Sequence, residues 1–409
     1  MLGIIADDFT GATDIATMLR RSGHRVAVVI EDGTLTPAHL AALDAVVVAL
    51  KSRSEAKDEA VAVSLDALRR LQAWGADRFY VKYCSTFDST AAGNIGPVLD
   101  AVTAELGVSR CVVVPSLPAN QRTVYQGHLF VGADLLENSP MRHHPLTPMT
   151  ESRVADLLRP QTSHDVGEVF RGTVQSGAAQ LRAALEAADA RYVVVDAIDD
   201  ADLALIAAAT RDDVLVSGGS GLALGIPGPG RTEAAWNSPP RSRGAVLCGS
   251  VSSATLAQIA HAAQTQPVHQ VNIREAIADP EAAASGLAAW VLAQPVDSIP
   301  VVCAARSRDD VQGSVDGVAA AAVVERILTQ TARLLLADGA VSGLIVAGGE
   351  TSGAVVRGLD IQSLQMGPEL APGVCWSTAE TGGRTVALAL KSGNFGSIDL
   401  FTSAWEQLV

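Results

Sequence analysis

Short apolar runs alternate with amphipathic stretches through most of this chain. Leu2 to Ala6, Val26 to Ile30, Ala45 to Leu50, Phe79 to Lys82 and Arg110 to Pro115 have strand length and little internal polarity, as strands buried on both faces do. Between them, Ala12 to Leu19, Ala38 to Leu43, Glu55 to Trp74 and Gly96 to Leu106 carry apolar residues at helical spacing. That alternation predicts an α/β fold, a doubly wound parallel sheet with helices on both faces. Residues 116–176 break the rhythm with a Pro-, His- and Arg-rich stretch. Long irregular insertions of this kind are functional or disordered, and the recurring Leu, Val, Phe and Met argue against disorder. Helices at Gly177 to Ala188 and Asp200 to Thr210 and strands at Tyr192 to Asp196 and Val214 to Ser217 complete the first sheet.

A Pro/Gly-rich polar stretch then reads as a linker at 226–243. The alternation restarts with a strand from Ala245 to Cys248. Two domains are therefore expected, 1–225 and 244–409, each a mostly parallel sheet with helices on both faces. No sequence repeat relates the halves.

Composition sharpens this. The 409 residues exceed one ordinary core, and 48% are hydrophobic while only 4% are aromatic, which suits helix-on-sheet packing and not base stacking. A formal charge of −14 opposes nonspecific binding to nucleic acid. Five widely spaced cysteines without a C-x-x-C pair read as small buried hydrophobes in a reducing compartment. Acidic residues fall within the first ten positions, unlike a signal peptide, and no apolar run approaches the ~18 residues of a membrane span. A cytoplasmic protein without membrane or nucleic-acid partners is expected. A homo-oligomer is compatible with the sequence, which leaves its order open.

The first strand runs into Asp7-Asp8-Phe9-Thr10-Gly11. Carboxylates at a strand's carboxyl end stand where ligands bind in open parallel sheets. Asp7-Asp8 can cap a helix, bind Mg²⁺ or act as base on a substrate hydroxyl. Capping needs one Asp at most, and Thr10 could do it instead. After the strand ending at Lys82, the residues Ser85, Thr86, Asp88, Ser89, Thr90 and Asn94 are too many for helix capping, and their density suits a small polyhydroxylated or acidic substrate. Gly348-Gly349-Glu350-Thr351-Ser352-Gly353 follows a strand at Leu344 to Ala347 and precedes a helix expected near Ala354. Its glycines let backbone N–H groups approach a phosphate; a capped tight turn is the alternative. Ser250 and Ser252 in Gly249-Ser250-Val251-Ser252-Ser253, and Gly393 and Asn394 in Lys391-Ser392-Gly393-Asn394-Phe395-Gly396, lie at two further strand ends of the same domain. Gly218-Gly219-Ser220-Gly221 is a fourth candidate, but it closes the first domain, where a sharp connection is the alternative. His143-His144 has no metal-chelating spacing; with Arg142 beside it, carboxylate binding or an exposed loop fits better.

On Ile5-Ala6-Asp7-Asp8-Phe9-Thr10-Gly11-Ala12 and the two glycine strings at 348–353 and 391–396, the whole chain resembles the four-carbon acid sugar kinases. These have an N-terminal sugar-binding and a C-terminal nucleotide-binding domain. The strings at 84–90, 93–97, 122–132 and 141–149 look like the branch acting on 3-oxo-tetronates, with departures at Ala91 and Ala133. The resemblance implies ATP-dependent phosphorylation of the C4 hydroxyl of a 3-oxo-tetronate, with Mg²⁺, and a downstream decarboxylating partner enzyme. It implies ATP held by Ser250, Ser252, Gly348, Gly349, Glu350, Thr351, Ser352, Gly393 and Asn394. Asp7, Thr10, Lys82, Ser85, Thr86, Asp88 and Asn94 then surround the sugar acid, with Arg122 or Arg142 pairing with its carboxylate. Asp8 orients or deprotonates the hydroxyl, with Asp7 and Asp88 as alternatives; the metal ligands stay unassigned. D-threonate or D-erythronate is the alternative substrate. A two-lobed binding protein without activity is a more distant reading, and a dinucleotide-dependent dehydrogenase lacks its glycine fingerprint here.

Overall fold

A computed structural model describes residues 1–143, 147–229, 236, 238–239, 242–311, 313–315 and 317–408, the His143 side chain excepted. Much of the expected linker, and His144, lie outside these residues. The chain forms two compact units, Met1–Ala234 and Ala235–Val409.

In the first unit the strands β1 (Leu2–Ala6), β2 (Val26–Ile30), β3 (Ala45–Ala49), β4 (Arg78–Lys82) and β5 (Cys111–Val114) fall where the apolar runs place them. The stretch 116–176 supplies β6 (Arg122–Tyr125), β7 (His128–Val131) and β8 (Asp134–Leu135), a small antiparallel sheet. It also supplies β9 (Val166–Val169), which pairs parallel with β10 (Tyr192–Val195). With β11 (Leu215–Gly218), the main sheet has the order β2-β3-β1-β4-β11-β5-β10-β9, all parallel. Every residue of β1, β2 and β3 is buried, as a sheet covered on both faces requires. On one face Ile5, Val46, Val48, Leu68, Leu71 and Leu99 share a core.

The second unit contains β12 (Gly244–Cys248), β13 (Val268–Gln270), β14 (Val301–Cys303), the short hairpin β15 (Ser314–Val315) and β16 (Val318–Ala319), β17 (Gly343–Ala347), β18 (Ser363–Ala371), β19 (Val374–Thr381) and β20 (Arg384–Lys391). Its sheet runs β13-β14-β12-β17-β20-β19-β18, parallel through β20 and antiparallel beyond.

The halves share no visible sequence repeat, yet their first four main-sheet strands follow one plan: β2-β3-β1-β4 and β13-β14-β12-β17. In each, the chain leaves the first strand toward one side and the fourth toward the other. The loops after β1 and β4, and after β12 and β17, therefore diverge. That divergence is the switch-point crevice in which open α/β sheets hold ligands.

The sequence misplaces two helix starts. The first helix spans Phe9–Arg21, not Ala12 to Leu19, because Asp8 caps it by accepting from Gly11 N–H at 2.8 Å; Thr10 lies inside the helix. The helix after β17 spans Gly349–Gly358 rather than starting near Ala354. Gly348 takes a φ of +125°, a value glycine reaches at little cost, so the chain turns into the helix at once.

Gly244 opens β12 beneath the Trp405 ring, which a Cβ there would penetrate. Trp405 is 2% exposed and has no room to retreat. We expect Gly244→Ala to cost about 1–3 kcal/mol, measured by urea unfolding followed through tryptophan fluorescence.

Candidate functional site

In the first unit the crevice between the ends of β1 and β4 gathers charge. Arg53 donates from Nε to Asp7 Oδ2 and from Nη2 to Asp7 Oδ1 and Asp8 Oδ1, each at 2.8 Å. One guanidinium thus spans both carboxylates, the bidentate geometry that makes such pairs strong. Backbone bonds hold it there: the N–H groups of Ser52 and Arg53 donate to Asp7 O. Asn94 Nδ2 donates to Ser52 O at 3.0 Å and Glu55 O at 2.8 Å. Asn94, read from sequence as a substrate contact, thus straps the loop that carries Arg53 and also lines a cavity beside it.

Lys82 ends β4, is 3% exposed and donates to Tyr83 O at 2.9 Å. A small cavity of ≈ 30 Å³ is lined by Asp7, Ser52, Arg53, Lys82, Asp88, Ser89 and Asn94 above an apolar floor, with room for about one or two waters. Thr86 Oγ1 donates to Asp88 Oδ1 at 2.6 Å, and Ser85 stands beside Gly219. The loop is pinned by Phe87, fully buried edge-on to Tyr83 at 5.3 Å between ring centres. Phe87 has φ +50°, rare for an aromatic residue and the kind of local strain that clusters at binding loops. Neither Arg122 nor Arg142 lines the cavity. Arg122 donates to Asn120 O, and Arg142 is exposed and donates to Glu137 O.

Burial raises the Asp8 carboxyl above its ordinary value, and Asp7 adds to this; Arg53, Lys82 and the Gly11 N–H oppose it. Burial disfavours the Arg53 charge, yet Asp7 and Asp8 outweigh it and hold the guanidinium firmly protonated. Asp14, one turn into the first helix, is buried and raised by that burial against the pull of Lys82 and Ser220. A carboxyl lifted toward neutrality beside fixed cations can orient a hydroxyl and take its proton.

The second unit builds its crevice differently. Gly249 and Ser250 N–H groups both donate to Ala347 O, and Gly348 N–H donates to Lys391 O. The three strand-end loops expected to hold phosphate are therefore bonded into one edge. Gly393 O accepts from Ser252 Oγ at 2.6 Å, Thr255 Oγ1 at 2.8 Å and Lys391 Nζ at 3.0 Å. Gln258 Nε2 donates to the carbonyls of Phe395, Gly396 and Ser397 and clamps the last loop. Glu350 is exposed in the first helical turn. Thr351 and Ser352 are buried there, with Ser352 Oγ donating to Val346 O at 3.3 Å. Both are thus helix residues rather than loop residues. Beside Gly249, a pocket of ≈ 110 Å³ is lined largely by apolar side chains, among them Val251, Ile273, Ala304 and Val324.

Residues 2–226 match the family described as "Sugar-binding N-terminal domain", and residues 245–401 match "Nucleotide-binding C-terminal domain". A 3-oxo-tetronate kinase of Burkholderia multivorans is 44% identical over 100% of this chain and 97% of its own length. One from Pectobacterium atrosepticum is 41% identical over 99% of both. The chain belongs to the 3-oxo-tetronate kinase family. A crystal structure from Salmonella typhimurium LT2, provisionally named a tRNA synthase, superposes with TM-score 0.92 at 40% identity over 100% of this chain and 99% of that one. A Haemophilus influenzae protein gives TM-score 0.85 at 38% identity over the full length of both.

Sequence reasoning missed Arg53, Asp14, Thr255 and Gln258. Arg53 sits in the polar turn Lys51-Ser52-Arg53-Ser54, which looks like any solvated connection. Its signal was available only through topology, because a parallel neighbour of β1 must end beside Asp7.

Two outcomes are expected. Arg53→Met leaves Asp7 and Asp8 facing each other unpaired. It should cost about 1–3 kcal/mol in urea unfolding, and the acid limb of the pH–kcat/KM profile should move to higher pH. The sign follows from Arg53 being what pulls the raised Asp8 back down. A Cβ at Gly249 would clash with Thr351 Oγ1, so Gly249→Ala should weaken ATP binding about tenfold or more, read by calorimetry, as a displaced loop does.

Proposed function

We propose that this chain is an ATP-dependent kinase that phosphorylates the C4 hydroxyl of a 3-oxo-tetronate. Residues 1–225 serve as the sugar-acid-binding domain and 244–409 as the nucleotide-binding domain. The observation that carries the reading is the Arg53-bridged carboxylate pair at the crevice of one unit, together with the glycine and hydroxyl loops at the same place in the other. Full-length relatives at 41–44% identity named 3-oxo-tetronate kinase support it. Among the described residues no helix is long and apolar enough to cross a membrane, and a cytoplasmic location is part of the proposal.

Phosphoryl transfer is mostly positioning and charge stabilisation. Asp8 orients the C4 hydroxyl and receives its proton, because burial raises its carboxyl. Asp7 fixes Arg53. The substrate carboxylate is placed on Arg53 Nη1, which makes no hydrogen bond among the described residues, in preference to Arg122 or Arg142. Ser85, Thr86, Asp88 and Lys82 contact the remaining oxygens, and Thr10 closes the crevice at the helix start. The loops at Ser250 and Ser252, at Gly348 to Ser352 and at Gly393 and Asn394 hold the triphosphate, with the N–H groups of Gly349, Glu350 and Thr351 in the first helical turn and of Gly393 and Asn394 as donors, since those of Ser250, Ser252, Gly348 and Ser352 are bonded within the unit. No cluster of three His, Cys, Asp or Glu residues suited to a metal occurs among the described residues. Mg²⁺ needs no such cage, since it is held by one or two carboxylates with substrate phosphates and water, and Glu350 is the carboxylate placed for this. When bound, Mg²⁺ would neutralise charge on the phosphates.

ADP release measured with 3-oxo-tetronates, D-threonate and D-erythronate tests the reading. Release should require ATP and prefer a 3-oxo-tetronate; preference for threonate or erythronate would keep the kinase and reject the acceptor. Asp8→Asn should lower kcat about 10²–10⁴-fold. A near-normal kcat in that variant, with Asp7→Asn inactive, would transfer the role to Asp7.

A further inference from the structure

A buried cation in the second unit has no part in the reading so far. Lys391, the last residue of β20, is 1% exposed. Its Nζ donates to Thr255 Oγ1 at 2.9 Å and Gly393 O at 3.0 Å, and lies 5.8 Å from the centre of the Phe401 ring. No carboxylate pairs with it among the described residues. A buried ammonium without an anion is costly, and neutral oxygens and a ring face only partly offset this.

Its position suggests what it is kept for. Gly393 O, which Lys391 holds, also collects Ser252 Oγ and Thr255 Oγ1. Thr255 Oγ1 in turn lies 3.1 Å from Ser250 Oγ. A Cβ built on Gly393 would be 2.7 Å from Ser250 Oγ, so the two loops are in direct contact. The ammonium thus stands directly behind the hydroxyls and glycines of two of the three strand-end loops.

We propose that Lys391 is a positioning residue for the nucleotide: its buried ammonium braces the Ser250 and Gly393 loops from behind and is the missing counter-charge for the polyphosphate of ATP. The proposal rests on the nucleotide reading of this unit. It assigns Lys391 no contact with the transferred phosphoryl group. Its consequence is a proton linkage. Burial lowers the Lys391 pKa to about 8, with the Cys248 thiol the one titratable group that counters this. That thiol is itself buried and held well above its ordinary value, so it stays neutral over the same range. An arriving polyanion favours the ammonium and raises its pKa. At pH 8 a half-protonated Lys391 should therefore take up about half a proton per ATP bound. Affinity should fall as pH rises above about 8. The γ-phosphate, with a pKa near 6, is already ionised there and contributes no uptake.

The test is calorimetric titration of the full-length protein with ATP, without acceptor, at pH 8 in Tris and in Bicine, whose ionisation enthalpies differ. The wild type should show buffer-dependent heat corresponding to uptake of about half a proton. Lys391→Met should bind ATP about tenfold or more weakly, lose the buffer dependence, and be at least as resistant to urea as the wild type, because an unpaired buried charge has gone. Lys391→Arg, always charged, should recover affinity without the proton uptake. ATP binding by the wild type with no proton uptake would overturn the inference, as would a Met variant that retains both affinity and uptake, or one that loses affinity only because it unfolds more readily. Those results leave the nucleotide reading standing. Absence of ATP binding by the wild type would overturn that reading and this inference together.

Discussion

A parallel sheet delivers the carboxyl ends of all its strands to one edge, and everything chemical in this chain depends on that constraint. Strands β1 and β4 are neighbours whose outgoing connections part, and so are β12 and β17. Backbone leaving in opposite directions cannot fill the space between the two strand ends. A crevice results whatever the side chains are, and the side chains then decide what it holds. In the first unit they place the carboxylates of Asp7, Asp8 and Asp88 and the cations of Arg53 and Lys82 there. In the second they place glycines, hydroxyls and one cation.

The strands were legible because both sheet faces are covered, so the runs are apolar throughout; Ala45 to Ala49 has no polar position at all. Boundaries set by a single cap were not. Asp8 and Gly348 start their helices earlier than the apolar spacing shows, because a cap acts on the backbone and leaves no periodic trace. Residues whose role comes from a neighbouring strand were also hidden. Arg53 is 45 positions from Asp8 in sequence and 2.8 Å away in space. Asn94 was picked out by its polar company, and its amide nitrogen also serves the backbone of the Arg53 loop. The shared plan β2-β3-β1-β4 and β13-β14-β12-β17 left no sequence repeat, since strand order is a property of connections and any buried apolar residue satisfies it.

Charge separates the two crevices. Asp7 and Asp8 face the same few ångströms of space, and one guanidinium makes that arrangement tolerable. The Arg53 bridge is therefore structural and chemical together. It keeps the loop after β3 on the loop after β1, and it opposes the rise that burial imposes on the Asp8 carboxyl. The second unit carries no comparable buried carboxylate pair at the equivalent place among the described residues; Glu350 is exposed there. The protein's −14 formal charge repels anions at long range, and a locally uncompensated cation is what can reverse that over the last few ångströms.

Burial displaces a charge-bearing group of each crevice toward its neutral form, and it does so in opposite directions: Asp8 upward, Lys391 downward. Each is ill-satisfied alone, and each is suited to a ligand of complementary demand. A hydroxyl that must lose a proton suits a carboxylate that holds protons more strongly than usual. A polyphosphate that needs positive charge suits an ammonium that loses its proton more easily than usual. Full neutralisation of either group inside the protein would add stability, and it would remove the property the ligand uses. The residual electrostatic cost at both switch points follows from building a binding site, rather than a core, at the end of a parallel strand.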